Sequence, residues 1–135
     1  MNMSFNLLQV RILVEDFQKS AAFYRDTLEL KADWYEEKQQ YALFSTGAAR
    51  IELLSRKAMG DSIGEDLGTG TPYQTNFVLN IEVDDVDAFY NRMRDKGVVF
   101  VKEPFTIPEW GARLAHFRDA DGTLIEVYEA KKKSE

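Results

Sequence analysis

The chain has 135 residues, 17 basic and 23 acidic side chains, a net charge of −6 and no cysteine. That length suits a single domain able to bury roughly two-thirds of its unfolded surface, and the acidic balance disfavours a nucleic-acid partner, which wants a basic stripe. Disulfides and thiolate metal sites are excluded. No apolar run approaches the ~18 residues that span a bilayer, and the N-terminus lacks a secretory leader pattern, so the expectation is a cytoplasmic protein that engages no membrane.

In chain order, Leu8 to Val14 alternates, with Val10, Ile12 and Val14 on one face and Gln9, Arg11 and Leu13 on the other, the period of a half-buried strand. Asp16 is an N-cap candidate for a helix whose apolar stripe is Phe17, Ala21, Tyr24 and Leu28. Lys31 to Glu36, Gln40 to Ser45 and Ala49 to Ser55 then read as strands. Residues 56–75 carry four glycines, a proline and few large apolar side chains, and read as a linker. Its Gly68 and Gly70 lack the Gly-Lys-Ser/Thr continuation of a phosphate loop.

The second half repeats the first. Asn76 to Val83 is a strand, and Val86, Phe89, Tyr90 and Met93 stripe a helix that stops near Gly97. Val98 to Glu103, Ala112 to Arg118 and Thr123 to Tyr128 read as strands. The repetition extends to sequence: Val14-Glu15-Asp16 leads to Ala22-Phe23-Tyr24, as Val83-Asp84-Asp85 leads to Ala88-Phe89-Tyr90. Each half closes on an Ile-Glu-aliphatic triplet, Ile51-Glu52-Leu53 and Ile125-Glu126-Val127. The organisation is one domain over 1–135, with module one at 7–55, a linker at 56–75 and module two at 76–129. A repeat of this kind implies corresponding positions meeting around a pseudo-twofold axis, where a site can be built.

These fragments, with Trp110-Gly111 and the run Phe117-Arg118-Asp119-Ala120-Asp121-Gly122 before Ile125-Glu126, resemble the vicinal oxygen chelate superfamily, which includes glyoxalase I, bleomycin-resistance proteins, fosfomycin-resistance enzymes and extradiol dioxygenases. The resemblance covers residues 7 to 129. It implies an α+β fold of two tandem βαβββ modules forming a curved, incomplete barrel around a cavity, commonly in a homodimer.

The family's metal ligands occupy one early and one late strand position in each module, and the resemblance carries them to Gln9, Glu52, Val78 and Glu126. The repeat agrees, since Gln9 lies five residues before Val14 and Val78 five before Val83. Val78 departs from the pattern, because metal-dependent members usually have histidine there. Gln9, Glu52 and Glu126 could still hold a hard divalent cation weakly through oxygen. Alternatively, Arg11 and Arg50, on the same faces by period-2 alternation, pair with Glu52 and Glu126 and leave no cofactor.

Ligand contacts are expected from Arg11, Trp34, Arg50, Val78, Asn80 and Trp110. Trp34 and Trp110 are expected in or beside loops, where a flat ring can stack on a planar or cationic guest. Other aromatics, Tyr35, Tyr41, Phe44, Phe100 and Phe105, are expected mostly in the core. The single histidine depends on a turn. A four-residue turn over Asp119 to Gly122 opposes Ala115 to Glu126 and turns His116 away, whereas a bulge at Arg118-Asp119 would bring it round.

Two functions follow. The first is metal-independent binding or sequestration of a small molecule, favoured by Val78. The second, implied by the resemblance, is a lyase or isomerase of the glyoxalase type, with metal on Gln9, Glu52 and Glu126 and with Glu126 moving the proton as catalytic residue.

Overall fold

The computed structural model describes residues 8–68 and 77–130. The chain divides into two units, Met1–Gly70 and Thr71–Glu135. In the first, the elements run β1 (Val10–Val14), α1 (Phe17–Ala22), a π-helical turn (Phe23–Thr27), β2 (Lys31–Glu36), β3 (Tyr41–Thr46), β4 (Ala49–Ser55) and α2 (Arg56–Ile63). In the second they run β5 (Val78–Glu82), α3 (Val86–Asp95), β6 (Phe105–Ile107), a 3-10 turn (Pro108–Trp110), β7 (Ala112–Arg118) and β8 (Leu124–Ala130).

Each unit contains one four-stranded sheet, in the orders β1-β4-β3-β2 and β5-β8-β7-β6. The outer pairs β1/β4 and β5/β8 are parallel and the rest antiparallel. Neither sheet is closed or strongly curled, so the expected curved, incomplete barrel is corrected to two open sheets. Four strands fall well short of the about eight that close around a filled interior. One helix on one face already buries the apolar side.

The alternation read from the sequence places that helix. Ile12, Val14, Ile51, Leu53, Ala42 and Phe44 are buried beneath Phe17, Ala21 and Tyr24 of the first helical segment, with Tyr24 and Phe44 ring centroids 5.9 Å apart. Asp16 caps α1 as expected, its Oδ1 accepting from the Lys19 N–H at 3.1 Å. In the second unit Val86 and Met93 of α3 are buried with Ala115, Phe117, Ile125 and Val127, and Asp85 Oδ1 accepts from the Ala88 N–H at 3.0 Å. The opposite face of each sheet therefore carries the residues of the alternate register: Arg11, Glu52 and Leu43 in one, Asn80, Glu126 and His116 in the other.

Three local expectations change. Residues 56–63, read as linker, form α2, capped by the Ser55 hydroxyl accepting from the Ala58 N–H at 3.0 Å and ended by Gly64 at φ 74°. Residues 69–76 lie outside the described residues. Val98 to Glu103 does not form a strand and contributes only a bridge from Phe100 to Phe117, while the edge strand comes later, at Phe105–Ile107. Lastly, β2 carries a bulge between Ala32 and Trp34. The skipped residue, Asp33, accepts a hydrogen bond from the Ser45 hydroxyl.

Candidate functional site

The helix-free face of the first sheet is organised about Glu52. Register sets Arg11 beside it on β1 and Leu43 beside it on β3, and the bulge sets Trp34 opposite Leu43. The Glu52 side chain is 4% exposed and forms an ion pair with Arg11, Nε to Oε1, at 3.0 Å. Its other oxygen accepts from the Tyr41 hydroxyl, and Gln9 adds a further hydrogen bond. Burial alone pushes the Glu52 carboxyl up, but the hydrogen bonds from Tyr41 and Arg11, the Arg11 charge and the Gln9 contact outweigh it, and the net pKa lies below the usual 4.5. Tyr41 moves the other way. Burial first, and then the bond to the Glu52 carboxylate, raise it to about 12. The pairing expected of both arginines thus falls to Arg11 alone. Arg50 is half-buried on the same face, and its guanidinium, among the described residues, makes no hydrogen bond or ion pair, acting on Tyr41 only through its charge.

The corresponding face of the second sheet is organised about Glu126. Asn80 stands beside it on β5 and His116 beside it on β7. Its Oε1 lies 2.8 Å from His116 Nε2, and its Oε2 accepts from the Asn80 side-chain amide. The four-residue turn that would have turned His116 away is not formed. Arg118 pairs with Leu124, so residues 119–123 make the connection. Asp119 holds that longer turn, its Oδ1 accepting from the Asp121 N–H at 2.9 Å and the Thr123 N–H at 2.8 Å. One added residue shifts the register by one and brings His116 opposite Glu126. Sequence reasoning left this histidine out of the site. The signal lay in Asp119-x-Asp121-Gly122-Thr123, whose first carboxylate can accept from backbone N–H groups two and four residues on.

The four family ligand positions divide two and two between the units, Gln9 and Glu52 in the first, Val78 and Glu126 in the second. Val78 is 44% exposed and offers no lone pair. Both carboxylates are engaged by side-chain donors of their own sheets. The set lacks the nitrogen that Zn²⁺ and Ni²⁺ favour and does not fit such an ion. Three other carboxylates, Asp85, Asp87 and Glu129, have oxygens within 4.8 Å of one another, a spacing a cation can bridge. Each has another partner: Asp85 caps α3, Asp87 binds Arg113 through two bonds of 2.7 and 2.8 Å, and Glu129 accepts from the Val86 N–H at 2.8 Å. The Arg113 bond holds the Asp87 carboxyl below its usual pKa.

Trp34 and Trp110 are both strongly exposed, at 57% and 66%. Trp34 lies within β2 rather than in a loop, and its indole N–H donates to Glu36 at 3.3 Å; Trp110 ends the 3-10 turn. Of the aromatics expected in the core, Phe44 is fully buried and Tyr35 is half-buried against Phe17, with 5.5 Å between centroids. Phe105 instead stacks on His116, with centroids 5.9 Å apart and planes 23° apart. A cavity of about 750 Å³ opens in the first unit between α2 and the segment after it, lined among others by Glu15, Ser55, Arg56, Asp61 and Glu65. None of the ligand or metal positions read from the sequence lines it.

A family model described as the Glyoxalase/Bleomycin resistance protein/Dioxygenase superfamily matches residues 6–127. The chain is 46% identical over 123 residues to "Uncharacterized protein YraH" of Bacillus subtilis (strain 168), covering 90% of this chain and 96% of that one. Among solved structures, a glyoxalase/bleomycin resistance protein/dioxygenase from Nocardioides superposes with a TM-score of 0.81 at 19% identity, over 99% of this chain and 89% of the other. Lactoylglutathione lyase from Agrobacterium tumefaciens gives 0.72 at 19% identity, over 95% and 96%. TnmS3, an antibiotic binding protein from Streptomyces sp. CB03234, gives 0.70 at 24% identity, over 96% and 100%. At these identities the structures share the fold.

Proposed function

Because the chain belongs to the glyoxalase/bleomycin resistance protein/dioxygenase superfamily, we propose that it binds and sequesters a small organic molecule on the helix-free faces of its sheets, without a metal ion. The observation that carries this reading is the commitment of both carboxylates. Glu52 holds Arg11 and Tyr41, Glu126 holds His116 and Asn80, and Val78 supplies no donor. In the first unit a guest's contacts would come from Trp34 as a stacking surface, from Arg50, whose guanidinium has no side-chain partner among the described residues, and from Arg11; in the second unit they would come from Trp110 as a stacking surface and from Val78 and Asn80. TnmS3, described as an antibiotic binding protein, shares the fold and supports a reading of this class.

The chain's working form on this reading is a cytoplasmic homodimer that takes neither nucleic acid nor membrane. Among the described residues each sheet has an edge strand on either side with no further strand beside it, which pairing between copies would cover. Among the described residues no helix is long and apolar enough to cross a membrane. Light scattering should give about twice the 15.5 kDa of one chain; a mass near 15.5 kDa would sink the dimer.

The function itself is tested by quenching of tryptophan fluorescence with a panel of planar aromatic dyes, before and after dialysis against EDTA. Binding that survives EDTA supports the reading. Binding that vanishes and returns with Zn²⁺, Mn²⁺ or Mg²⁺ overturns it in favour of the glyoxalase-type lyase on Gln9, Glu52 and Glu126.

A further inference from the structure

The chain has one histidine, and its surroundings fix which of its nitrogens carries the proton. An ionised carboxylate only accepts hydrogen bonds. Glu126 Oε1 lies 2.8 Å from His116 Nε2, so in the neutral ring the proton sits on Nε2 and Nδ1 keeps its lone pair. Phe105 stacked on the imidazole holds the plane of the ring, and the Asp119 turn holds its register.

Nδ1 makes no hydrogen bond among the described residues, and none of their buried side-chain nitrogens or oxygens lacks a partner. An unpartnered Nδ1 must therefore reach open space, on a side chain that is 21% exposed. Asn80 behaves in parallel. Its amide nitrogen is turned to Glu126, which leaves its carbonyl oxygen as a second acceptor in the same row. Two acceptors thus flank a carboxylate whose own oxygens are satisfied.

We propose that the neutral His116 ring, its tautomer locked by Glu126, presents Nδ1 to the ligand as a hydrogen-bond acceptor, so that this face of the second sheet selects guests carrying an O–H or N–H donor. The inference rests on the ligand-binding reading above and narrows it to a chemical class. A hydroxylated aromatic meets a lone pair at Nδ1. The same ring without a donor leaves that lone pair unmatched once water is displaced, and a carboxylate guest sets acceptor against acceptor beside the Glu126 charge. Of the nearby cations, Lys102 sits 3.8 Å above the Phe105 ring and Arg118 donates to the Gly122 carbonyl at 2.8 Å.

Long-range ¹H–¹⁵N NMR of the full chain at about pH 8.5, above the ordinary imidazole range and below the phenol pKa of about 10, reads the tautomer directly. The expected spectrum shows Nε2–H in the parent and a mixed population in Glu126→Ala. The same spectra, titrated with phenol and with anisole, compare two rings that differ by one donor. Phenol should shift Nδ1 and bind about fivefold tighter than anisole, and His116→Phe should abolish the difference. An Nδ1–H tautomer in the parent overturns the proposal. So does equal binding of phenol and anisole with Nδ1 unmoved, an outcome that leaves the ligand-binding reading intact. Failure of both compounds to perturb any residue of either helix-free face overturns the two together.

Discussion

Glu52 and Glu126 stand at the same position of the last strand in two sheets of the same order, each next to a parallel edge strand and an antiparallel neighbour, yet their surroundings differ in charge. Glu52 is enclosed, and a guanidinium and a phenol close over it. Glu126 is 19% exposed, and an amide and an imidazole hold it without balancing its charge while the ring is neutral. The paired positions make the difference: Arg11 becomes Asn80 on the edge strand, and Leu43 becomes His116 on the inner one. The repeat conserves where a carboxylate is placed and leaves its use to the neighbours. In the first sheet that use is stability, and in the second it is presentation of acceptors.

The comparison breaks most visibly if the two arginines of the first sheet prove equivalent. Arg11→Met should lower stability by about 3 kcal/mol, because the carboxylate left behind is buried, and chemical denaturation measures this. Arg50→Met should cost less than about 0.5 kcal/mol. Equal losses would mean that the Arg11–Glu52 pair is not the clamp. Next in size is Asp119→Ala, which removes one acceptor from two backbone N–H groups and should cost about 2 kcal/mol. It should also weaken the His116–Glu126 contact, visible as a change in the His116 ring resonances; an unchanged spectrum would show that the turn does not set the register.

A third test asks whether the second sheet can be moved toward the family's metal pattern. Val78→His supplies the nitrogen that the resemblance expects, and calorimetry should find Zn²⁺ or Ni²⁺ affinity raised at least tenfold over the parent, which corresponds to about 1.4 kcal/mol. Equal weak binding by both would show that Glu126 does not leave its side-chain partners for a cation. The smallest effect is one of pH. The folded-state pKa of Glu52 is depressed, so its contribution is complete above the ordinary value of 4.5 and is lost as pH falls through the folded value. Stability should decline below that point, less steeply in Arg11→Met than in the parent. Parallel curves would assign the acid sensitivity to other carboxylates.

Much of this was legible in the sequence. The alternation from Leu8 to Val14 separates the buried face from the face of Gln9 and Arg11, because one side of an open sheet is covered and the other is not. Asp16 announces the start of α1 by side-chain chemistry that acts over three residues. What was not legible is register. Thr46 pairs with Ala49 across a two-residue turn, whereas Arg118 pairs with Leu124 across five residues, so the repeat could not transfer the count from one hairpin to the other. A one-residue error there was enough to turn His116 the wrong way. The helix at 56–63 was hidden by Gly60, which reads as a breaker. It is tolerated because the chain returns so closely that a Cβ there would lie 2.4 Å from the Glu65 carbonyl oxygen.

On the ligand-binding reading, the bulge at Asp33 has a consequence for how such a protein changes its guest. With unbroken pairing from Lys31 and Ser45, Asp33 would stand opposite Leu43 and the indole of Trp34 would point under the helix. One extra residue in an edge strand is what puts the ring on the open face. Closing the bulge by deleting a residue between Trp34 and Glu36, with Asp33 kept, would exchange an aromatic surface for a carboxylate without altering any other strand. On that reading, length variation in β2 is thus a means of changing recognition that alters the covered face only at this edge strand, open to insertion and deletion where substitution would have to replace one large side chain with another.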